Sequence, residues 1–363
     1  MAIAASLLAH DAFSQNVAPA GFRFYRGENG SVTAINYWGE GGLRAAKLRE
    51  FPHLECIEIS YGSNLSNDDI EYLSTLTNLT ELVIGQSSVD SPVMIAGDLR
   101  KLKTLKSLES FHLCKRDIID SDLEFVVDLP KLTHLELIAE NSYGDQSDLT
   151  DDCADFLVRA KSLESIYFEG TAKFTDAFMS KITKGLPSLK NLDLSCPELT
   201  NNSLRMLATR SKKLQRLQLR SDQITDTGVG HIANATHLRE LRLYSNSLSK
   251  QCLQHMAPFK KLQDLELTLP AIDDNGARVL ANLRQLESLI LRETEFTDRQ
   301  IEMFRNHPRL ERVFIRGSNL SADVVVKLIG ELPNLEYISI GSKNPDLQAL
   351  INRTLLGKPN NRD

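Results

Sequence analysis

His112 and Cys114 alternate along one short apolar stretch, and His134 and Glu136 alternate along the next. Alternation puts each pair on one face of a strand. If those strands pair in register, Glu136 stands beside His112 at a spacing of about 4.8 Å. Imidazole, thiolate and carboxylate all ligate zinc, so a His112, His134 and Glu136 set could hold a metal and activate water for hydrolysis. The competing reading is a polar patch that touches a partner. It is preferred, because no further ligand pattern accompanies the four residues, and no metal or other cofactor is expected.

Other catalytic signatures are missing from the sequence. It holds no P-loop, no GxGxxG, no GxSxG elbow and no HExxH. No catalytic residue is therefore assigned, and the chain reads as a non-enzyme.

A different pattern points to binding. Early alternating stretches carry Glu55, Glu58, Glu81, Glu109, Glu136, Glu164, Glu169 and Asp193. Later ones carry Arg216, Arg220, Arg239, Arg242, Arg292, Arg312 and Arg316, with Tyr244 and Phe314 among them and Glu240, Asp264 and Glu266 interspersed. Arginine and aromatic residues are enriched at the energetic centres of interfaces. Arg216, Arg220, Arg242, Tyr244, Arg292, Phe314 and Arg316 are thus the candidate partner-binding residues. Guanidinium groups grip carboxylates through paired hydrogen bonds, so the expected partner is a protein or peptide with an acidic segment.

These residues are positioned by a repeat. The frame L-x-x-L-x-L occurs at Leu189-Leu192-Leu194, Leu214-Leu217-Leu219, Leu238-Leu241-Leu243, Leu262-Leu265-Leu267, Leu286-Leu289-Leu291 and Leu310-Val313-Ile315, starting every 24 or 25 residues. Weaker copies begin at Val32, Leu54, Leu79, Leu108, Leu132, Leu163 and Leu335. Within each frame the last two apolar residues alternate, which makes a short strand with one face to the core. A further apolar residue follows, such as Ile224, Leu248 or Phe296, and then often a helix-capping Ser or Thr: Ser66, Thr175, Thr200, Thr225, Ser249, Thr297, Ser321. Apolar residues then recur at helical spacing, as at Val229 and Ile232. Each unit is one strand, one turn and one short helix. No unit can bury its apolar side alone, so units must stack.

Ile224-Thr225-Asp226-Thr227-Gly228-Val229, Phe174-Thr175-Asp176 and Phe296-Thr297-Asp298 resemble the I-T-D-x-G-L type of leucine-rich repeat, common in bacteria and related to cysteine-containing repeats of F-box proteins. The resemblance spans about Phe22 to Leu356. It implies an α/β fold: a right-handed leucine-rich-repeat solenoid, or horseshoe, with a concave parallel β-sheet and short convex helices. It also implies a protein-binding scaffold that holds its partner on the concave face. The position usually held by Asn or Cys reads Asp222, Asn246, Pro270, Thr294 and Ser318, which predicts a weakened internal ladder.

The expected organisation is a leader or signal-peptide remnant at 1–21, a solenoid at 22–341 opened by a hairpin at Gly27-Glu28-Asn29-Gly30, and a capping helix and tail at 342–363. Two over-long repeats carry insertions at 91–106 (basic) and 138–149 (acidic). An F-box-like ubiquitin-ligase receptor is the alternative scaffold role, but the residues before Leu54 read as leader, hairpin and first repeat. A metal-dependent enzyme at His112, His134 and Glu136 is the alternative of another class.

Composition narrows the partners. With 42 Lys+Arg against 48 Asp+Glu the net charge is -6, which gives no general attraction to nucleic acid or anionic membranes. No apolar run nears the roughly 20 residues of a membrane span. The five cysteines are scattered and form no CxxC pair, so no disulfide framework is indicated. Ala2 to Ala12 lack a preceding basic residue, so a cytoplasmic chain is favoured over an exported one.

Overall fold

The protein is described by a computed structural model covering residues 22–38, 43, 48–60, 64–85, 94–115, 118–139, 148–170, 173–315, 320–341 and 345–356. The leader and most of the acidic insertion lie outside the described residues. The chain divides into two compact units, Met1–Leu189 and Lys190–Asp363.

The first unit opens with strands β1 (Phe22–Arg26) and β2 (Val32–Tyr37), paired antiparallel. Between them Gly30 takes φ 77°, a left-handed conformation that glycine adopts without strain. Then come β3 (Cys56–Ile59), β4 (Asn64–Leu65), β5 (Glu81–Ile84), β6 (Met94–Ile95), β7 (Ser110–Cys114), β8 (His134–Ile138) and β9 (Ser165–Glu169). β2, β3, β5, β7, β8 and β9 run parallel in that order, and β4 pairs with β6 apart from them. The second unit carries β10 (Asn191–Ser195), β11 (Arg216–Arg220), β12 (Glu240–Tyr244), β13 (Asp264–Thr268), β14 (Ser288–Arg292), β15 (Arg312–Ile315) and β16 (Tyr337–Ile340), all parallel.

The leucine frame sets the register. Leu217 pairs with Leu241, and Leu241 with Leu265, each at most 1% exposed. Burial of one such leucine stabilises by about 1.5–3 kcal/mol, and the gain recurs at every strand. Helical segments close the other side of the core. In the second unit these include Asn201–Arg210, Asp226–Ile232 and Asp274–Ala281, with Val229, Ile232 and Leu280 fully buried. In the first unit several are 3-10 turns, such as Leu99–Thr104 and Asp120–Asp128.

Helix entry follows the Ser/Thr pattern at most positions. Ser66, Thr175, Thr200, Ser249 and Thr297 accept a backbone N–H from the first turn, and Thr297 with Gln300 forms a reciprocal capping box. Thr225 and Ser321 differ: neither hydroxyl caps its helix. The Thr225 hydroxyl instead accepts from Asn201 Nδ2 of the preceding repeat at 2.9 Å.

A second departure concerns the inner ladder. Asp222, Asn246 and Pro270 are exposed. The inward position lies one residue earlier, at Ser221 and Ser245, each 3% exposed. Ser221 Oγ donates to the carbonyls of Pro197 and Leu199, and Ser245 Oγ to that of Ile224. In the β14 repeat Glu293 takes φ 62°, and Thr294 becomes the inward residue, donating to the Leu269 carbonyl at 2.7 Å. Buried Ser and Thr therefore satisfy loop carbonyls that would otherwise be orphaned; the inward position is one residue earlier than expected in the β11 and β12 repeats and as expected, at Thr294, in the β14 repeat, while apolar Leu269 takes it in the β13 repeat. Ser318 lies outside the described residues.

Gly228 is fixed by packing. A Cβ there would meet Asn201 Oδ1 at 2.4 Å, the atom that accepts the Thr225 backbone N–H. Among the described residues no helix is long and apolar enough to cross a membrane. All five cysteines are free and buried, and burial pushes the Cys252 thiol up to about 12.

Candidate protein-binding face

In x-L-x-L-x the leucines take the core, so residues one, three and five lie on the opposite face of the sheet. The second unit thereby presents three rows across its strands. One row runs Arg216, Glu240, Asp264, Ser288, Arg312 and Tyr337. The middle row includes Gln218, Arg242, Glu266, Ile290 and Phe314. In the third, Arg220 pairs with Tyr244 and Thr268 with Arg292.

The arginines do not form a uniform positive patch. Arg242 reaches Glu240 at 2.9 Å and Glu266 at 3.9 Å, while Arg216 reaches Glu240 at 3.5 Å. Arg292 Nε donates to Glu266 at 2.5 Å, and Arg312 lies 3.4 Å from Asp264. Glu266 is only 4% exposed, so two guanidinium groups stabilise a carboxylate that would be costly to bury alone. The hydrogen bond from Arg292 in turn holds that guanidinium above its ordinary value.

Arg220 stands apart. It is exposed, and no carboxylate pairs with it among the described residues. Its guanidinium lies 5.0 Å from the Tyr244 ring centroid, and Arg292 lies 5.8 Å from the same ring. Burial, then the charge of Glu266, pushes the Tyr244 phenol up to about 12, so its hydroxyl stays protonated. The cation–ring contact holds the Arg220 guanidinium against Tyr244.

The structure brings Arg216, Arg220, Arg242, Tyr244 and Arg292 together on β11, β12 and β14. Phe314 lies beside Ile290, on the far side of the charged cluster, and next to Ser339 on β16. Arg316 lies outside the described residues. Sequence reasoning passed over Ile290 and Tyr337, the latter 51% exposed at the outer end of the first row. The alternation within their own strands was the available signal.

His112, Cys114, His134 and Glu136 lie on the first unit. His112 and Glu136 are register partners, with Nδ1 to Oε1 at 3.2 Å, but His134 pairs across to Ser110 and its Nδ1 contacts Thr133 Oγ1 at 2.8 Å. Among the described residues no group of three or more His, Cys, Asp or Glu is placed to hold a metal. Three cations of the basic insertion pair locally: Arg100 with Asp98, Lys101 with Glu71 and Lys106 with Asp128.

Solved structures share this backbone. An internalin from Listeria monocytogenes matches with a TM-score of 0.56 at 18% identity, over 86% of this chain and 87% of that one. Yeast Rad7, solved in complex with Elc1, matches with a TM-score of 0.54 at 16% identity, over 79% and 76% of the two chains. The fold is that of the leucine-rich-repeat proteins. No family model and no curated protein matches the sequence. The leucine-rich-repeat likeness is therefore one of architecture.

Proposed function

We propose that the chain is a non-enzymatic recognition scaffold that holds an acidic segment of a protein or peptide on the solvent side of the second unit's sheet. The observation that carries this reading is Arg220: an exposed guanidinium over the Tyr244 ring with no carboxylate partner among the described residues, on a face where four other arginines each have one. A carboxylate of the partner would complete it through paired hydrogen bonds. Ile290, Phe314 and Tyr337 supply apolar area on the adjoining strands, which suits a segment combining an acidic and an apolar residue. The presence of Rad7 in a complex with a second protein, Elc1, supports a protein partner. We further assign the repeats to the I-T-D-x-G-L type, on the roles of Asp226 and Gly228 in joining one repeat to the next.

The test is capture from lysate of the native host by the wild-type chain, Arg220→Glu and Lys184→Glu, quantified by mass spectrometry. Lys184 is exposed on the helix Asp176–Gly185, away from the strands. A partner retained by wild type and Lys184→Glu but lost by Arg220→Glu is the expected result. Equal capture by all three, with the fold intact, overturns the reading.

A further inference from the structure

The second unit has a lateral edge whose chemistry differs from that of its sheet. Between each helical segment and the strand that follows it, the chain makes the same tight turn. Lys212 and Lys213 occupy it before β11, Thr236 and His237 before β12, and Lys260 and Lys261 before β13. Each turn closes in the same way, with the N–H of Leu214, Leu238 or Leu262 donating to the carbonyl three residues back. The Gln215 N–H donates to the Lys190 carbonyl, that of Arg239 to Gln215 and that of Gln263 to Arg239, so the turns stack at equal height.

This edge has no acid. Residues 204–215, 228–239 and 252–263 contain no Asp or Glu, while Arg210, Lys212, Lys213, Arg239, Lys260 and Lys261 are all exposed. Among the described residues none of these six pairs with a carboxylate. Lys212 Nζ donates to the Ala208 carbonyl, and Arg239 to the Gln263 side chain. The next carboxylates, Glu240 and Asp264, stand on the strands and are held by Arg242 and Arg312. The net charge of -6 is an average that conceals a locally cationic surface.

We propose that this edge docks on an anionic phospholipid bilayer, with the six cations among the headgroups. Tips at equal height meet a plane together, and three strands about 4.8 Å apart make a compact patch of about 10 Å rather than a long track. Nucleic acid suits it less. No aromatic side chain is exposed on the edge for bases to stack on, and the patch is short against the roughly 34 Å of a duplex turn. A protein partner also suits it less, since interface centres are enriched in aromatic residues and depleted in Lys, and four of these six cations are Lys. Lysine ammonium groups are hydrated point charges on flexible stems, which fits a fluid layer of headgroups.

The full chain is sedimented with vesicles of phosphatidylcholine alone and with vesicles that also contain phosphatidylserine, at low and at high salt. Binding is expected only with phosphatidylserine and should be lost at high salt. Lys213→Gln combined with Lys261→Gln should weaken it by about 25-fold, since each cation near the surface contributes about fivefold. Lys327→Gln, on the helix Ala322–Glu331, should leave it unchanged. No phosphatidylserine-dependent binding by the wild-type chain overturns the proposal, as does equal binding by the double variant. A DNA duplex or poly-glutamate bound more tightly than the vesicles, charge for charge, also overturns it and assigns the edge to nucleic acid or to an acidic protein respectively. The vesicle comparison uses the wild-type chain and holds even if the double variant fails to fold.

Discussion

Asp226 Oδ1 accepts the backbone N–H of Ser249 at 2.8 Å, and its Oδ2 accepts the Ser249 hydroxyl at 2.6 Å. Asp226 opens one helix and Ser249 caps the next, 23 residues on, so one carboxylate joins two successive repeats. The same join recurs where Asp120 holds Thr150, Asp151 holds Thr175 and Asp298 holds Ser321. The third letter of I-T-D therefore encodes stacking, in addition to favouring the helix N-terminus.

Asp226→Ala should destabilise the chain by about 1.5–3 kcal/mol, the range for hydrogen bonds to a charged group. Asp226→Asn keeps one acceptor and should lose less. Urea unfolding at neutral pH checks both. A neutral Asp226→Ala would mean that the contact is replaced by water at no cost.

Leu241→Ala should cost about 2–5 kcal/mol, because the site is fully buried between Leu217 and Leu265 and cannot collapse without shifting both neighbouring strands. The same measurement at exposed Lys213 should show little change.

The frame of leucines was legible because its spacing repeats every 24 or 25 residues, and the pairs Gln218–Arg242 and Arg220–Tyr244 followed from it directly. The Asp226–Ser249 join was not legible, since it depends on how far one repeat is set from the next. The inner ladder was placed one residue late at Asp222 and Asn246, because alternation ends at the strand and cannot show which turn residue points inward. Nor could the sequence show that Glu266 is buried. Its position is an ordinary outward one, and only the convergence of Arg242 and Arg292 makes its burial tolerable. That same convergence removes Arg242 as a site for charge reversal, since a carboxylate there would face Glu240 and Glu266.

His307 is fully buried, donates from Nε2 to the Leu283 carbonyl at 3.1 Å and accepts the Arg309 N–H at Nδ1. Burial lowers its pKa below 6.5. The unfolded chain thus binds a proton there more readily than the folded one, so this contribution is complete above 6.5 and is lost as the pH falls towards the lowered folded value. The urea midpoint should drop on acidification through that window, and less steeply in His307→Gln. An identical slope in the variant would assign the loss to other groups.

The most direct test of the binding face is selection of a displayed random peptide library on the wild-type chain and on Arg220→Glu. The exposed substitution should leave the thermal midpoint almost unchanged, since Arg220 holds no ion pair among the described residues. Peptides selected on wild type should be rich in Asp or Glu accompanied by an apolar residue, and Arg220→Glu should lose that enrichment. The same acidic peptides enriched equally on both chains would contradict the account.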